Sequence, residues 1–291
     1  MTPQRERNRN PASGAIRLAA FALTLAAVFA LATVAGGAID PDRGGQPDSE
    51  EDEMETMTAN EPGTESEVGG LAVAADGYRL DLGRNRFEAG ERGELSFRII
   101  GPGGVVSDFA PEHEAPLHLI VVRRDLSGFQ HLHPEMSDDG TWSTPLQLPA
   151  GGVYRAYADF ETGGRALTLG ADLMASGRFD PVELPAPSDV ATGDGYEVEM
   201  AGAGGMLEFT VSRAGEPVTD LQPYLGARGH LVAIRDGDLA YIHVHPEQAE
   251  AGDPAIAFHA ELPTPGRYRL FLQFRHQGEV HTVAFTEEVS G

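Results

Sequence analysis

A repeated spacing of histidines most narrowly limits what this chain can fold into, because it divides the folded part into two similar halves. Six of the ten histidines fall into two copies of the pattern H-x12-H-x-H-P-E. Equivalent histidines of the two copies lie 112 positions apart. Together they form the histidine frame, which is His118, His131 and His133 in the first copy and His230, His243 and His245 in the second.

Other landmarks recur around the frame in the same order. The Asp-Gly-Tyr triplet at residues 76–78 returns at 194–196, and the Leu-Pro pair at 148–149 returns at 262–263. The offset varies slightly between landmarks, as insertions in surface loops would produce. The sequence therefore predicts an internal duplication, with two tandem domains of about 100 residues each.

Each copy has the alternating pattern of short, half-buried strands. Polar residues separate Leu95, Phe97 and Ile99, and the runs 154–160 and 268–274 alternate in a similar way. Glycine and proline interrupt these runs at short intervals, and no long helical periodicity follows position 40. About seven strands in a copy of this length predict an all-β fold of two immunoglobulin-like or cupredoxin-like β-sandwich domains.

The N-terminal residues have the composition of an export signal. Four arginines precede Leu18–Ala35, an apolar run in which only Thr24 and Thr33 are polar. This run is longer than a usual signal-peptide core and reaches the lower end of a membrane-spanning helix. A cleaved signal peptide and a retained signal-anchor helix are both open, and both place the rest of the chain outside the cytoplasm. We therefore expect a cell-membrane protein with extracytoplasmic domains or, after cleavage, a secreted one.

Composition sets the remaining boundaries. Residues 40–70 contain eleven acidic residues and one arginine, which predicts a disordered linker. The predicted segments are the signal peptide or signal-anchor helix at 1–39, the disordered acidic linker at 40–70, β-sandwich domain 1 at 71–184, an inter-domain linker at 185–192 and β-sandwich domain 2 at 193–291.

Hairpin geometry predicts that the three histidines of each copy share one face of a sheet. The second and third frame histidines are two positions apart in a strand and therefore point to the same side. Directly opposed residues of an antiparallel pair also face one side, so any even-numbered hairpin loop adds the first histidine to them, whereas an odd-numbered loop would place it on the other face. Turn signals lie at 125–128 in the first copy and at 236–238 in the second.

Three neutral imidazoles on one face suit a transition metal. They fit zinc, copper or nickel, and the absence of cysteine together with the expected extracytoplasmic location favours copper or zinc. The predicted metal ligands are the six frame histidines. Secondary candidates are Met136, as a soft thioether ligand, and His281, which could approach from a neighbouring strand.

The same motif also has a structural interpretation. The imidazoles could bond to backbone carbonyls or to Glu135 and Glu247, while the proline ends strand pairing. A duplicated domain repeats structural motifs as faithfully as binding motifs, so the repetition alone does not separate the two interpretations.

Three segments of the first copy resemble those of known bacterial proteins. They are His-Leu-Ile-Val-Val-Arg at 118–123, Gln-His-Leu-His-Pro at 130–134 and Leu-Pro-Ala-Gly-Gly-Val-Tyr-Arg at 148–155. They are similar to those of YtkA-like domains and of extracytoplasmic β-sandwich proteins described as heavy-metal-binding. The resemblance covers both copies and implies an exported β-sandwich with a link to metal handling. It carries over no catalytic residue.

These features predict an extracytoplasmic protein that binds copper or zinc, for metal buffering or for hand-over to an envelope protein. The alternative is a structural or protein-interaction module of the cell envelope that binds no metal. No enzyme is expected, because the chain lacks a cysteine nucleophile, a G-x-S-x-G elbow, a phosphate loop and an H-E-x-x-H motif. The net charge of −24 argues against a nucleic-acid partner. The membrane is an expected partner, through the N-terminal helix.

Overall fold

Strands are the only regular elements in the part of the chain that the computed structural model describes, residues 68–242, 244–247 and 255–290. The prediction of an all-β fold is therefore confirmed for these residues. None of them belongs to a helix long and apolar enough to cross a membrane. The predicted export segment at 1–39 and the stretch 40–67 of the acidic linker lie outside the described residues.

The strands fall into two series, one for each repeat. The first series, with the strand that precedes it, is β1 (Val68–Gly69), β2 (Ala74–Ala75), β3 (Tyr78–Leu82), β4 (Arg86–Phe87), β5 (Arg92–Gly101), β6 (Gly104–Val105), β7 (His118–Arg123), β8 (Gln130–Leu132), β9 (Glu135–Met136), β10 (Trp142–Gln147), β11 (Gly152–Thr162) and β12 (Arg165–Ala175). The second is β13 (Val190–Gly193), β14 (Tyr196–Ala203), β15 (Met206–Arg213), β16 (Glu216–Pro217), β17 (Gly229–Arg235), β18 (Tyr241–Ile242), β19 (His245–Pro246), β20 (Ala255–His259), β21 (Gly266–His276) and β22 (Glu279–Val289). Each series exceeds the seven strands predicted, because two-residue pairings leave no alternation in the sequence.

The first repeat is a sandwich of two sheets. Sheet 1 has the order β2-β3-β5-β10-β9, with β6 on β5, and sheet 2 has the order β4-β12-β11-β7-β8. Their facing sides enclose one core, in which Phe97 and Trp142 of sheet 1 belong to the same buried cluster as Tyr154 and Phe160 of sheet 2. Alternate residues of each strand point into this core, as the period of two predicts.

The second repeat has the same plan. Sheet 3 has the order β13-β14-β15-β20-β19, with β16 on β15, and sheet 4 has the order β1-β18-β17-β21-β22. Phe209 and Phe258 of sheet 3 share a buried core with Tyr268 and Phe274 of sheet 4. Strands β18-β17-β21-β22 follow the order of β8-β7-β11-β12, so the predicted duplication is confirmed.

A bond from a tyrosine to the backbone marks the same corner in both repeats. The Tyr154 hydroxyl donates to the carbonyl of Ala150 at 2.9 Å, and the Tyr268 hydroxyl donates to that of Thr264 at 2.8 Å. Such a bond fixes the turn before a strand and is the tyrosine corner of β-sandwiches. It helps to start β11 and β21, which flank the frame strands, at equivalent points.

The two repeats pack against each other through sheets 2 and 4. Strands β7 and β17 carry side chains into their own sandwich core from one face and into the contact between the repeats from the other. The interface cluster consists of buried apolar residues of both repeats, namely Ile120, Val122, Leu126, Tyr157, Val232, Ile234, Leu239, Tyr241 and Phe271. Phe129 stacks on Phe271 across this contact, with ring centroids 4.1 Å apart. Full burial of each such side chain stabilises the folded state by about 1.5 to 3 kcal/mol. The two repeats therefore form a packed interface and are not independent domains on a linker.

The chain enters the fold along the contact between sheets 2 and 4, which is called the seam below. Strand β1 pairs with β18 of the second repeat. The Gly70 nitrogen then donates to the Thr168 carbonyl of β12 at 2.9 Å, and the Arg155 guanidinium donates to the Gly70 carbonyl. Residues 68–70, which fall at the end of the predicted acidic linker, are thus ordered and tie sheet 2 to sheet 4.

The segment that joins the repeats is held against the same contact. The Val182 nitrogen donates to the Asp125 carboxylate at 2.7 Å, and Arg123 donates to the Asp180 carbonyl at 3.1 Å. Leu184 packs against the interface cluster. These hydrogen bonds and this apolar contact help to hold the repeats in one relative position.

We expect the substitution Gly170→Ala to destabilise the protein, because a Cβ at this position of β12 would overlap the Gly70 carbonyl oxygen. That oxygen belongs to backbone held between the two sheets, so the free energy of unfolding should fall by about 1 to 3 kcal/mol. Chemical denaturation measures the difference. Gly103→Ala is the matched control, since a Cβ there meets nothing within 4 Å. Equal stability of the Gly170 variant and the wild type would contradict the close approach of the entering segment.

Candidate metal centre

Strand pairing brings the first-copy histidines to one face of sheet 2. Strand β7 pairs with β8 in a register that sets Ile120 opposite His131. Continuing this register sets His118 opposite His133, since each step along one strand is matched by a step back along its antiparallel partner. The register corresponds to an even-numbered loop, which is what the gathering of three imidazoles requires.

The ring nitrogens of these three histidines converge. His118 Nδ1 lies 2.9 Å from His131 Nε2 and 3.2 Å from His133 Nε2. One nitrogen from each ring lies within 4.8 Å of the other two, and the described part of the chain contains no other such group of three His, Cys, Asp or Glu side chains. His118 is buried, His131 half-buried and His133 exposed, so the group opens to solvent on one side.

Hydrogen bonds on the far side of two rings fix their tautomers. His118 Nε2 lies 2.9 Å from the backbone carbonyl of Glu112, which can only accept, so this nitrogen carries the proton. With the Gln273 amide oriented as in the structure, His131 Nδ1 likewise donates to Oε1 at 2.7 Å. With both rings in these neutral tautomers, the lone pairs of His118 Nδ1 and His131 Nε2 face each other.

Burial disfavours the protonated form of two imidazoles of this group, His131 and His133. Burial and the neighbouring rings lower the pKa of His131 to about 3, and the same causes lower the pKa of His133 below its ordinary value. Protonated rings have no lone pair to offer, so neutrality at physiological pH is a condition for ligating a metal.

The second repeat supplies two side chains to the same place. Gln273 of β21 bonds His131, and His230 stands opposite Gln273 in the β17–β21 pairing, on the same face. The His230 ring centroid lies 4.6 Å from that of His131 and 5.7 Å from that of His118. Burial, followed by the neighbouring imidazoles, lowers the pKa of His230 well below its ordinary value. The group therefore lies at the seam between the repeats rather than inside one of them.

A buried carboxylate shares this face. Asp159 lies opposite His118 in the β11–β7 pairing and is 6% exposed. Its carboxylate accepts from the Thr168 hydroxyl at 2.6 Å and from the Tyr241 hydroxyl at 3.4 Å, the latter across the seam. Burial and this carboxylate raise the pKa of Tyr241 well above its ordinary value, so the phenol remains a donor.

The second copy of the frame does not repeat this arrangement in the described residues. His230 turns to the first-copy group, and His245 is exposed in β19, where it pairs with His259. His243 lies outside the described residues. Two equivalent centres, one in each repeat, were expected from the spacing, whereas the structure brings residues of both repeats to a single group.

The two secondary candidates lie in other parts of the fold. Met136 is 37% exposed in β9, at the edge of sheet 1. His281 of β22 pairs with Phe274, which faces the second sandwich core, and its ring lies 4.5 Å from that of Tyr196. It points away from the seam because neighbouring residues such as Phe274 and Gln273 face opposite sides of a strand.

The amino-acid sequence does carry a signal for the seam, in the two frame strands. Residues 119–122 and 231–234 are uninterrupted apolar runs. A strand that is apolar on both sides is covered on both sides, whereas a strand facing solvent alternates. Gln273 has no comparable signal, because its role depends on the position of the first repeat against β21.

Comparison with protein families places both repeats in one family. The model described as Domain of unknown function (DUF8832) matches residues 72–177 and again residues 190–291. No curated protein matches the chain. The two matches coincide with the two sandwiches and leave the residues before position 72 uncovered.

Solved structures similar to this chain share little sequence with it. The Escherichia coli adhesin FdeC is 16% identical, with 76% of this chain and 66% of that one covered and a TM-score of 0.27. Salmonella alpha-2-macroglobulin is 13% identical, with coverages of 77% and 15% and a TM-score of 0.28. The titin immunoglobulin domains A164-A165 are 13% identical, with coverages of 72% and 96% and a TM-score of 0.19. This chain thus spans less than two thirds of the first two, and these TM-scores support no conclusion about function.

We expect acid to destabilise the protein in a chelator-containing buffer, through His131. Its pKa is about 3 when folded and near 6.5 when unfolded, so the unfolded state binds more protons between these values. Above about pH 6.5 His131 is neutral in both states and the free energy of unfolding is unaffected. At pH 5 the free energy of unfolding should be about 2 kcal/mol lower. Denaturation at several pH values measures the slope, which His131→Gln should flatten and the control His259→Gln should leave unchanged. An unchanged slope in His131→Gln would contradict the assignment.

Proposed function

Since the chain belongs to the family described as Domain of unknown function (DUF8832), whose description names no activity, we propose its function from the histidine site. The protein binds a transition-metal ion, copper or zinc, through His118, His131 and His133. With the N-terminal segment acting as an export signal, this binding takes place outside the cytoplasm. Its role is to buffer the metal or to hand it over to a partner.

The convergence of three ring nitrogens carries this proposal. His118 Nδ1 and His131 Nε2 direct lone pairs at each other across 2.9 Å, with His133 Nε2 3.2 Å from the first. Two acceptors at this distance repel unless a cation or proton lies between them. Tetrahedral bonds of roughly 2.0–2.1 Å to one ion set its nitrogen ligands about 3.3 Å apart, so small movements suffice to admit an ion.

The bonds behind the rings support metal ligation further. A ligating histidine usually donates its second ring N–H to a carbonyl or carboxylate, which fixes the tautomer and the ring. His118 has such a bond to the Glu112 carbonyl, and His131 has one to Gln273. The Asp159 carboxylate on the same face offsets part of the charge that an ion brings.

The chemistry of the ligands narrows the choice of metal, and the exposure of the site indicates how the metal is used. Neutral imidazoles suit zinc and copper, and a chain without cysteine offers no thiolate for either. His133 is exposed, which gives the ion a route in and out, as an exchangeable site requires. Three protein ligands also leave one tetrahedral position for a fourth ligand.

A second candidate function is a structural or protein-interaction module without metal. One observation favours it: each of the three imidazoles already has a polar partner. If the Gln273 amide were turned over, it would donate to His131, and His131 Nε2–H could donate to His118. The rings would then form a closed polar network that fixes the seam, and no ion would be needed.

Metal titration separates these functions. We expect the full chain to bind zinc or copper(II) with one site, and His118→Ala, His131→Ala or His133→Ala to weaken binding by more than about 100-fold. Isothermal titration calorimetry measures the affinity. His245→Ala, which changes an exposed histidine of the second copy, serves as the matched control and should bind as the wild type does. Equal uptake by wild type and by a variant lacking all three first-copy histidines would remove the metal assignment.

The substitution Gln273→Leu tests the bond behind His131. It removes the acceptor without removing a ligand, so we expect metal affinity to fall by about 10- to 100-fold. Gln273→Glu keeps an acceptor and should bind at least as tightly as the wild type. If Gln273→Leu lowers the unfolding temperature of the metal-free protein but leaves the affinity unchanged, the side chain only packs the seam.

A further inference from the structure

His230 has a buried ring nitrogen without a partner. Its Nδ1 is inaccessible to solvent and forms no hydrogen bond in the structure. A buried polar atom without a partner costs free energy and calls for an explanation, such as a bound ion. Apart from Trp142 Nε1, which lies in the first sandwich core, no other side-chain atom in the described residues is in this state.

The position of His230 relates it directly to the three-histidine group. Its ring lies nearly parallel to that of His118, with an interplanar angle of 15° and centroids 5.7 Å apart. The centroid distance from His230 to His131 is 4.6 Å, while the three rings of the group lie 4.8 to 5.1 Å from one another. His230 is thus packed against the group about as closely as its members are packed together.

We propose that His230 is the fourth metal ligand, so that the ion bridges the two repeats. This inference rests on the proposed function, because it concerns the same ion. The first repeat supplies three imidazoles and leaves one tetrahedral position, and the second repeat supplies the imidazole with an unused nitrogen. Ligation requires the His230 ring to turn within the seam until a ring nitrogen faces that position.

The bridge makes metal binding and docking of the repeats mutually dependent. A ligand that gains a bond only in the docked arrangement stabilises that arrangement, and docking raises the affinity by the same factor. The apolar interface cluster holds the repeats together in the absence of metal. The ion then adds a bond at the end of the seam that holds His118 and His230.

His113 is the neighbouring imidazole against which this assignment can be checked. Its ring lies 6.1 Å from that of His118 and 6.0 Å from that of His230. Its Nε2 lies 3.9 Å from the Glu112 carboxylate, which gives that nitrogen a partner. His113 therefore offers another imidazole at a slightly greater distance, but it has no buried nitrogen without a partner such as His230 Nδ1.

The test counts the imidazoles around the ion in the full chain. X-ray absorption of the zinc-loaded wild type should give four nitrogen ligands with imidazole scattering, and His230→Phe should give three. The phenylalanine keeps a ring in the seam, so the variant should still bind zinc, with an affinity lowered about 10-fold or more. His113→Phe should match the wild type in both measurements.

Three imidazoles in the wild type would overturn the assignment of His230, even if no variant folds. Equal zinc affinity of wild type and His230→Phe would overturn it as well, while leaving the three-histidine site in place. A wild type that binds no zinc and no copper would instead overturn the proposed function from which this inference starts. Unfolding temperature measured with and without zinc provides an independent reading, since the zinc-induced rise should be smaller in His230→Phe.

Discussion

The contact between sheets 2 and 4 is the interaction on which the rest of the structure depends. Ile120 and Val122 of β7 meet Val232 and Ile234 of β17, and all four are fully buried. Because the strands of a sheet alternate, this apolar contact also fixes where His118 and His230 point, two positions earlier in each strand. The entering segment and the joining segment are held in place by the same contact, since both form hydrogen bonds to residues beside it.

A duplicated domain that packs through equivalent strands forms an interface with approximate two-fold symmetry, as a homodimer does. The symmetry explains why His118 and His230, equivalent residues, stack on each other. It is broken where the repeats differ: Asp159 and Gln273 hold equivalent positions opposite them. On one side the Asp159 carboxylate accepts from the Tyr241 phenol, and on the other the Gln273 amide oxygen accepts from the His131 imidazole. Tandem fusion permits this division of roles, which identical subunits could not achieve.

The sequence predicts the parts of the fold that depend on local pattern. The duplication and the strand class follow from spacing and alternation, and the even register of the first frame is one of the two that the hairpin pattern allows. The shared site does not, because it depends on which sheets meet, and no local pattern specifies a partner surface. Gln273 lies 142 positions from His131, and only docking brings them together. The prediction of one site in each repeat treated the domains as independent, although the apolar runs of β7 and β17 indicate strands covered on both faces.

The chemistry of the seam itself argues against packing as the sole reason for its histidines. Apolar side chains fill the rest of the contact, and replacing a buried polar group by an apolar one of similar shape is often neutral or stabilising. Burial of imidazoles at this end therefore sacrifices stability, most clearly at His230, whose Nδ1 stays without a partner. A closed hydrogen-bond network would account for His118 and His131 but not for this nitrogen. The proposed ion between the repeats would account for all of these residues, since it would turn facing lone pairs into bonds.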